Sequence, residues 1–225
     1  MIRRILIQHT VWLVILSVIL FVSADDWSWP QGWAFIIENA VGAFGMSFWL
    51  LKRDPALLEQ RMSSPMRKDQ RPRDRLLIAL IGIVYLGWIV TMAVDGHRFA
   101  VDTNPLWGQG LGLVAIAGCF VMVLLAFRAN SFAVPQVRVQ SERAQTVVSD
   151  GPYRYVRHPM YSGALLLFVG GPMLLGSQWA LVGSALLIVG LIARILGEER
   201  VLLQELPGYE AYTQTVKYRL FPGLW

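Results

Sequence analysis

Residues 161–196 read YSGALLLFVGGPMLLGSQWALVGSALLIVGLIARIL, two apolar runs with only Ser177-Gln178 between them. Helices joined by so short a turn must be antiparallel neighbours. The first run, Tyr161 to Gly176, is short for a full membrane crossing, and Gly170-Gly171-Pro172 is expected to interrupt it. The second, Trp179 to Leu196, has the length of a span. A hairpin of this kind returns its two free ends to one membrane face. Just outside one end lies the polar stretch Gly151 to Gly163; at the other end lie Arg194, Glu198 and Glu199. The hairpin therefore predicts that two polar clusters, distant in sequence, share one boundary.

Composition extends this reading to the whole chain. Of 225 residues 55% are hydrophobic and only 16% charged, with a mean hydropathy of +0.49. Soluble domains are about 45–50% apolar and about 25% charged. Four further runs, near Ile5–Val22, Gly32–Leu51, Leu76–Val94 and Trp107–Phe127, complete an all-α, polytopic integral membrane bundle of five or six transmembrane segments. The first run also fits a cleavable signal peptide; Trp27, Trp29 and Trp33, placed as an outer aromatic belt, favour a retained helix.

Net charge +5 reads as a topology signal rather than as nucleic-acid binding. The basic stretch Lys52 to Arg75 (including Arg61, Arg67, Lys68, Arg71 and Arg73) and the segment after Arg128 belong to the cytoplasmic side; Asp95 to Pro105 suits an external loop. Asp54-Pro55 opens a short surface helix. Gly42 and Gly45 are expected to admit a close helix neighbour, and Glu38 to face protein or water. The polar region 130–150 reads as irregular structure at the membrane surface, and Arg200 to Trp225 as an amphipathic tail folded against it. A natural division places membrane helices in 1–127, with the basic loop 52–75, and a C-terminal core in 128–225. One cysteine, Cys119, and three scattered histidines leave no multi-cysteine or histidine metal site.

The stretch 151–163 reads Gly-Pro-Tyr-Arg-Tyr-Val-Arg-His-Pro-Met-Tyr-Ser-Gly. Pro159 suits the first position of a helix, which places His158 near the N-cap and aims the first-turn N–H groups at a ligand. A basic, aromatic collar at the lipid boundary would use the same residue types. Arg194 and Glu198, at i and i+4, share one helical face, and alone would read as an end-of-helix ion pair. The meeting of the two clusters favours a site, since a charge placed centrally in a span costs about 2.5–3.5 kcal/mol.

Arg157-His158-Pro159-Met160-Tyr161-Ser162-Gly163, followed by Glu198-Glu199 and then Tyr209 and Tyr212, resembles the isoprenylcysteine carboxyl methyltransferase family. The resemblance is strongest from about Asn130 onward and essentially absent in the first two spans. It implies a membrane enzyme using S-adenosylmethionine, with its cofactor site facing the cytoplasm. It places His158, Pro159, Met160, Tyr161, Tyr153 and Glu198 around the cofactor, and adds Gln140, Val147 and Val148 from the preceding segment. Gln145 stands where eukaryotic members carry a histidine. Arg194 matches the arginine on the methyl-acceptor side, the catalytic assignment.

The implied reaction is methyl transfer to a lipophilic small molecule or lipidated substrate drawn from membrane lipid, with carboxyl O-methylation of the isoprenylcysteine type as the leading reading. A carboxylate needs no general base at neutral pH, and Arg194 would orient it; an ammonium acceptor would need one, such as Glu199 or His158. Phospholipid N-methylation and small-thiol S-methylation stay open. A sterol-type NADPH reductase is disfavoured because Ala164, not an acidic residue, follows Gly163. A transporter is disfavoured by the lack of an internal repeat. Oligomeric state is not legible.

Overall fold

A computed structural model describes residues 1–63, 72–99 and 104–225, apart from the side chain of Arg73. Arg67, Lys68 and Arg71 of the basic loop, and Asp102 of the outer loop, lie outside these residues. The described chain is helical: α1 Ile2–Ala24, α2 Pro30–Arg53, α3 Pro55–Arg61, α4 Pro72–Ala93, α5 Leu106–Ala129, α6 Pro159–Leu175, α7 Gln178–Glu205 and α8 Tyr209–Thr215. Among the described residues, α1, α2, α4 (with its continuation to Arg98), α5 and α7 are long and apolar enough to cross a bilayer. The all-α membrane bundle is the observed fold.

The helix ends follow local chemistry. Asp54 accepts the Leu57 N–H at 2.9 Å and Pro55 takes the first position, so the short surface helix α3 forms where expected. Ser177 caps α7 by accepting the Ala180 N–H at 3.0 Å. Gly176 closes α6 at φ 78°, a left-handed conformation that glycine adopts without a Cβ clash. Asp95 then ties this turn to the end of α4, accepting the Ser177 hydroxyl at 2.7 Å and the Trp179 N–H at 2.9 Å.

Three sequence expectations change. Gly170-Gly171-Pro172 does not interrupt α6, which runs unbroken over 17 residues. Its glycines serve packing instead. A Cβ on Gly170 would stand 2.8 Å from the Gly112 carbonyl oxygen of α5, and one on Gly112 would stand 2.7 Å from the Gly170 oxygen. Gly163 repeats the approach nearer the site, with a Cβ position 3.1 Å from the Cys119 oxygen. Small residues allow backbones this close in a bilayer, where van der Waals contact drives association. At about 26 Å, α6 is shorter than the roughly 30 Å hydrocarbon core.

Second, Gly42 makes room for the Phe120 ring rather than for a helix backbone, and Gly45 has open space beside it. Third, α7 continues past Leu196 to Glu205 because Glu199 and Val201 keep its buried stripe going. Glu38 is half-buried, and its Oε2 has no protein partner among the described residues.

The central core joins Leu16, Leu20 and Phe21 of α1 to Phe35 of α2 and Trp88 and Met92 of α4, beneath α6 and α7. Trp88 Nε1 donates to the Ala180 carbonyl at 2.9 Å and to Ser184 Oγ at 3.0 Å, while Ser184 donates to the Phe168 carbonyl at 2.6 Å. This bridge locks α4 to both arms of the hairpin.

The α5–α6 seam is tested by Gly170→Val, with Gly82→Val, a position with nothing nearby, as the control. Overpacking costs about 1–3 kcal/mol. Thermal unfolding in detergent should show Gly170→Val well below the parent and Gly82→Val close to it.

Candidate functional site

The antiparallel hairpin brings the N-terminal end of α6 beside the charged end of α7. His158 is the N-cap residue of α6 and Pro159 its first residue. The His158 ring stacks on Tyr161 with centroids 5.6 Å apart. Tyr161 donates its hydroxyl to Glu198 Oε2 at 2.7 Å. Glu198 Oε1 has no protein partner among the described residues.

One residue along, Glu199 turns inward. Its Oε1 accepts from Arg157 Nε at 2.6 Å and lies 3.2 Å from His158 Nε2, and its Oε2 accepts from Arg219 Nε at 2.8 Å. Arg157 also donates to the carbonyls of Val216 (2.7 Å) and Lys217 (2.9 Å). The tail completes the knot through backbone bonds, Arg157 N–H to Tyr218 O at 3.0 Å and His158 N–H to Arg219 O at 2.9 Å. The tail is thus α8 followed by an irregular segment whose Tyr218 and Arg219 carbonyls accept from the entry to α6, more specific than an amphipathic cover.

A cavity opens on the other side of His158. Its floor is the α6 start: His158, Pro159, Met160 and Tyr161. Glu198 and Leu202 of α7 form one wall, and Tyr153, Tyr209 and Tyr212 another. The loop 130–150, irregular apart from one short turn at Ser141–Arg143, closes it with Val134, Gln136, Gln145, Val147 and Val148. Burial pushes the phenols of Tyr153, Tyr209 and Tyr212 upward, that of Tyr212 to about 12, so all three stay neutral at physiological pH. Tyr212 donates to the Tyr153 carbonyl at 2.7 Å. The Tyr209 hydroxyl is buried with no partner among the described residues.

Of the residues named from sequence, Val147, Val148, Tyr153, His158, Pro159, Met160, Tyr161 and Glu198 line this cavity. Gln140 does not. It is fully buried; its amide donates to the Phe132 carbonyl at 2.9 Å, its Oε1 accepts from Arg143 at 2.9 Å, and its N–H goes to Gln145 Oε1 at 2.7 Å. It shapes the loop instead of facing the space. Arg194 is also off the cavity wall. It sits behind Tyr161, donating Nε to the Tyr161 oxygen at 2.9 Å, Nη1 to Asp74 at 3.0 Å and Nη2 to the Pro135 carbonyl.

Sequence reasoning missed Arg219, Asp74 and the Tyr209 hydroxyl, and it offered Glu199 only as a base. Both Glu199 oxygens are already bonded to cationic side chains or His158, so neither is placed to take a proton. Arg219 and Asp74 carry no local pattern, because both reach the site only through tertiary packing.

The enclosed space measures about 90 Å³, below the roughly 300 Å³ at which small-molecule pockets begin. A nucleoside-sized ligand therefore requires a wall to part, and the loop 130–150 is the wall without regular helix. Arg61 of α3 holds that loop from outside, donating to the Ala133 carbonyl at 2.7 Å beside the Phe127 ring. The donor set suits S-adenosylmethionine: a carboxylate with a free oxygen for ammonium or ribose hydroxyls, aromatic faces, and an orphaned buried phenol.

The two adjacent glutamates should behave differently. Removing one partner of a buried ion pair costs roughly 3–5 kcal/mol, so Glu199→Ala should unfold at much lower temperature and expose the tail to proteolysis. Glu198→Gln should retain parental stability and protease resistance.

Residues 110–204, from α5 to the end of α7, match the model of the isoprenylcysteine carboxyl methyltransferase (ICMT) family. Two relatives from Oryza sativa (subspecies indica and japonica), each described as a probable protein-S-isoprenylcysteine O-methyltransferase, are 29% identical over 109 residues. That match covers 47% of this chain and 57% of each relative, so the chain spans little more than half the length of these curated proteins. The match to the family model runs through both arms of the hairpin and therefore through Tyr161, Arg194, Glu198 and Glu199, so the similarity to the isoprenylcysteine carboxyl methyltransferase family covers residues that frame the cavity.

Proposed function

We propose that this protein is an S-adenosylmethionine-dependent methyltransferase of the membrane, acting on a lipophilic carboxylate of the isoprenylcysteine type. One observation carries the reading. Within the family-matched segment, the hairpin gathers His158, Tyr161 and Glu198 around a single aromatic cavity. The cavity lies at the end that carries Arg61, Arg128, Arg138 and Arg154, while Asp25, Asp26 and Asp95 lie at the opposite ends of their helices. That asymmetry supports a cytoplasmic site.

When bound, S-adenosylmethionine supplies an electrophilic methyl group on a sulfonium. Glu198, Tyr153, His158, Pro159, Met160 and Tyr161 would hold the donor, with Val147 and Val148 closing the apolar side. Proximity and alignment alone account for about 7–11 kcal/mol of such a barrier. His158 is fixed by Glu199 and by its stack on Tyr161, so the floor of the site is preorganised. The loop 130–150 excludes water once closed.

Arg194 is assigned to the acceptor. Asp74 already bonds to its guanidinium, and an acceptor carboxylate would approach the same fork beside that pair. The Tyr161 hydroxyl, accepting from Arg194 and donating to Glu198, links the two halves of the site. A carboxylate acceptor requires no proton removal, which agrees with the lack of an available base at Glu199. The C-terminal core thus holds donor chemistry, and the helices before it provide the membrane setting.

The test is transfer of labelled methyl from S-adenosylmethionine to N-acetyl-S-farnesylcysteine, with a membrane lipid extract alongside. Label released as methanol by mild base marks a methyl ester; base-stable label in the lipid fraction would instead mark an amine or thioether. Arg194→Ala should lose at least a hundredfold in rate, and His158→Ala should show background label. Parental rates in Arg194→Ala would remove it from the mechanism.

A further inference from the structure

The Tyr209 side chain is only 5% exposed, yet its hydroxyl has no hydrogen-bond partner among the described residues. A buried unsatisfied hydroxyl costs about 1–3 kcal/mol, so such groups persist where something pairs with them. Tyr209 lines the cavity together with Tyr212, Tyr153 and Glu198. Its neighbour Tyr212 shows the contrast, since that hydroxyl is used internally on the Tyr153 carbonyl. Both phenols pack in the same small cluster with Leu206 and Val216. Their rings do the same work for the fold, and only their oxygens differ.

We infer that Tyr209 is a binding residue of this site, its hydroxyl making a direct hydrogen bond to the methyl donor. The inference rests on the cofactor reading above and extends it to a position in α8, outside the family-matched segment. Tyr209 sits close enough to Glu199 and Glu198 to feel their charge, and burial acts in the same direction, holding the phenol protonated. A neutral hydroxyl lining the same cavity as Glu198 would pair with polar groups of the ligand, as donor or acceptor. Because α8 follows directly on α7, a contact here would also fasten the tail over the occupied cavity.

The experiment is calorimetric titration of purified protein with S-adenosylhomocysteine, combined with thermal unfolding without ligand, for the parent, Tyr209→Phe and Tyr212→Phe. Loss of one neutral hydrogen bond corresponds to about 3- to 10-fold weaker binding. Tyr209→Phe should bind that much more weakly while unfolding at or above the parental temperature, because it removes an unsatisfied group. Tyr212→Phe should unfold earlier. Binding by Tyr209→Phe within twofold of the parent would overturn the inference, and so would a lowered unfolding temperature, which would reveal an internal partner. Absence of binding by the parent protein would sink the cofactor reading itself and with it this contact.

Discussion

The carboxylate of Glu199 is where three separate parts of the chain are tied together. Arg157 reaches it from before α6, Arg219 from the tail, and His158 from the N-cap, while Glu199 itself sits on α7. Its side chain is 7% exposed and that of Arg157 is 6% exposed. Desolvating such charges costs several kcal/mol per ion, and pairing recovers it only when the remaining donors are also satisfied. Here Arg157 Nη1 makes two further bonds, to the Val216 and Lys217 carbonyls of the tail. The result is less a source of net stability than a device of placement. It fixes the orientation of His158, the entry to α6 and the position of α8, and so three of the cavity's boundaries.

That knot works because the hairpin beneath it is rigid. The glycine seam between α5 and α6 sets their separation at backbone contact, and the Trp88–Ser184–Phe168 bonds fix α4 against both hairpin arms. Against this scaffold the loop 130–150 is the irregular wall of the cavity. It is held by side-chain bonds to single carbonyls, from Arg61 to Ala133, from Arg143 to Ser131 and from Arg194 to Pro135. In the proposed site, this irregular wall on a fixed floor is where a water-soluble cofactor would enter.

The hairpin and its consequence were legible because each depends on local sequence: a two-residue turn, a Pro at the first helical position, and an i, i+4 pair. Hydropathy also located every span except the end of α7 to within a few residues. It failed where helix outlasts hydrophobicity, as in α7 beyond Leu196, because the helix leaves the bilayer and keeps its buried stripe with charged residues. It misread Gly170-Gly171-Pro172, since the same residues that break an isolated helix allow backbone contact inside a bundle. Gln140 was named from resemblance, and only the loop's folded path shows its polar atoms turned to Phe132, Arg143 and Gln145. Asp74 and Arg219 lie 120 and 20 residues from their partners, and no spacing rule connects them.

The division of labour within the site follows from what each carboxylate touches. Glu198 and Glu199 are neighbours in sequence, yet successive residues on a helix are separated by about 100°. Glu198 thereby faces the cavity and takes only the Tyr161 hydroxyl, while Glu199 faces the cationic knot. Arg194, one turn before Glu198, meets the same tyrosine from the other side. Tyr161 is thus bracketed by an acid that faces the cavity and a guanidinium that lies off its wall. A ligand drawing on Glu198 would change the partner of the Tyr161 proton, and among the described residues Tyr161 joins Asp74 and the Pro135 carbonyl in holding the Arg194 guanidinium in place. Arg194 and the cavity are therefore joined through a single hydroxyl, a shorter connection than any path through the backbone, and the proposed donor and acceptor sites would communicate through it.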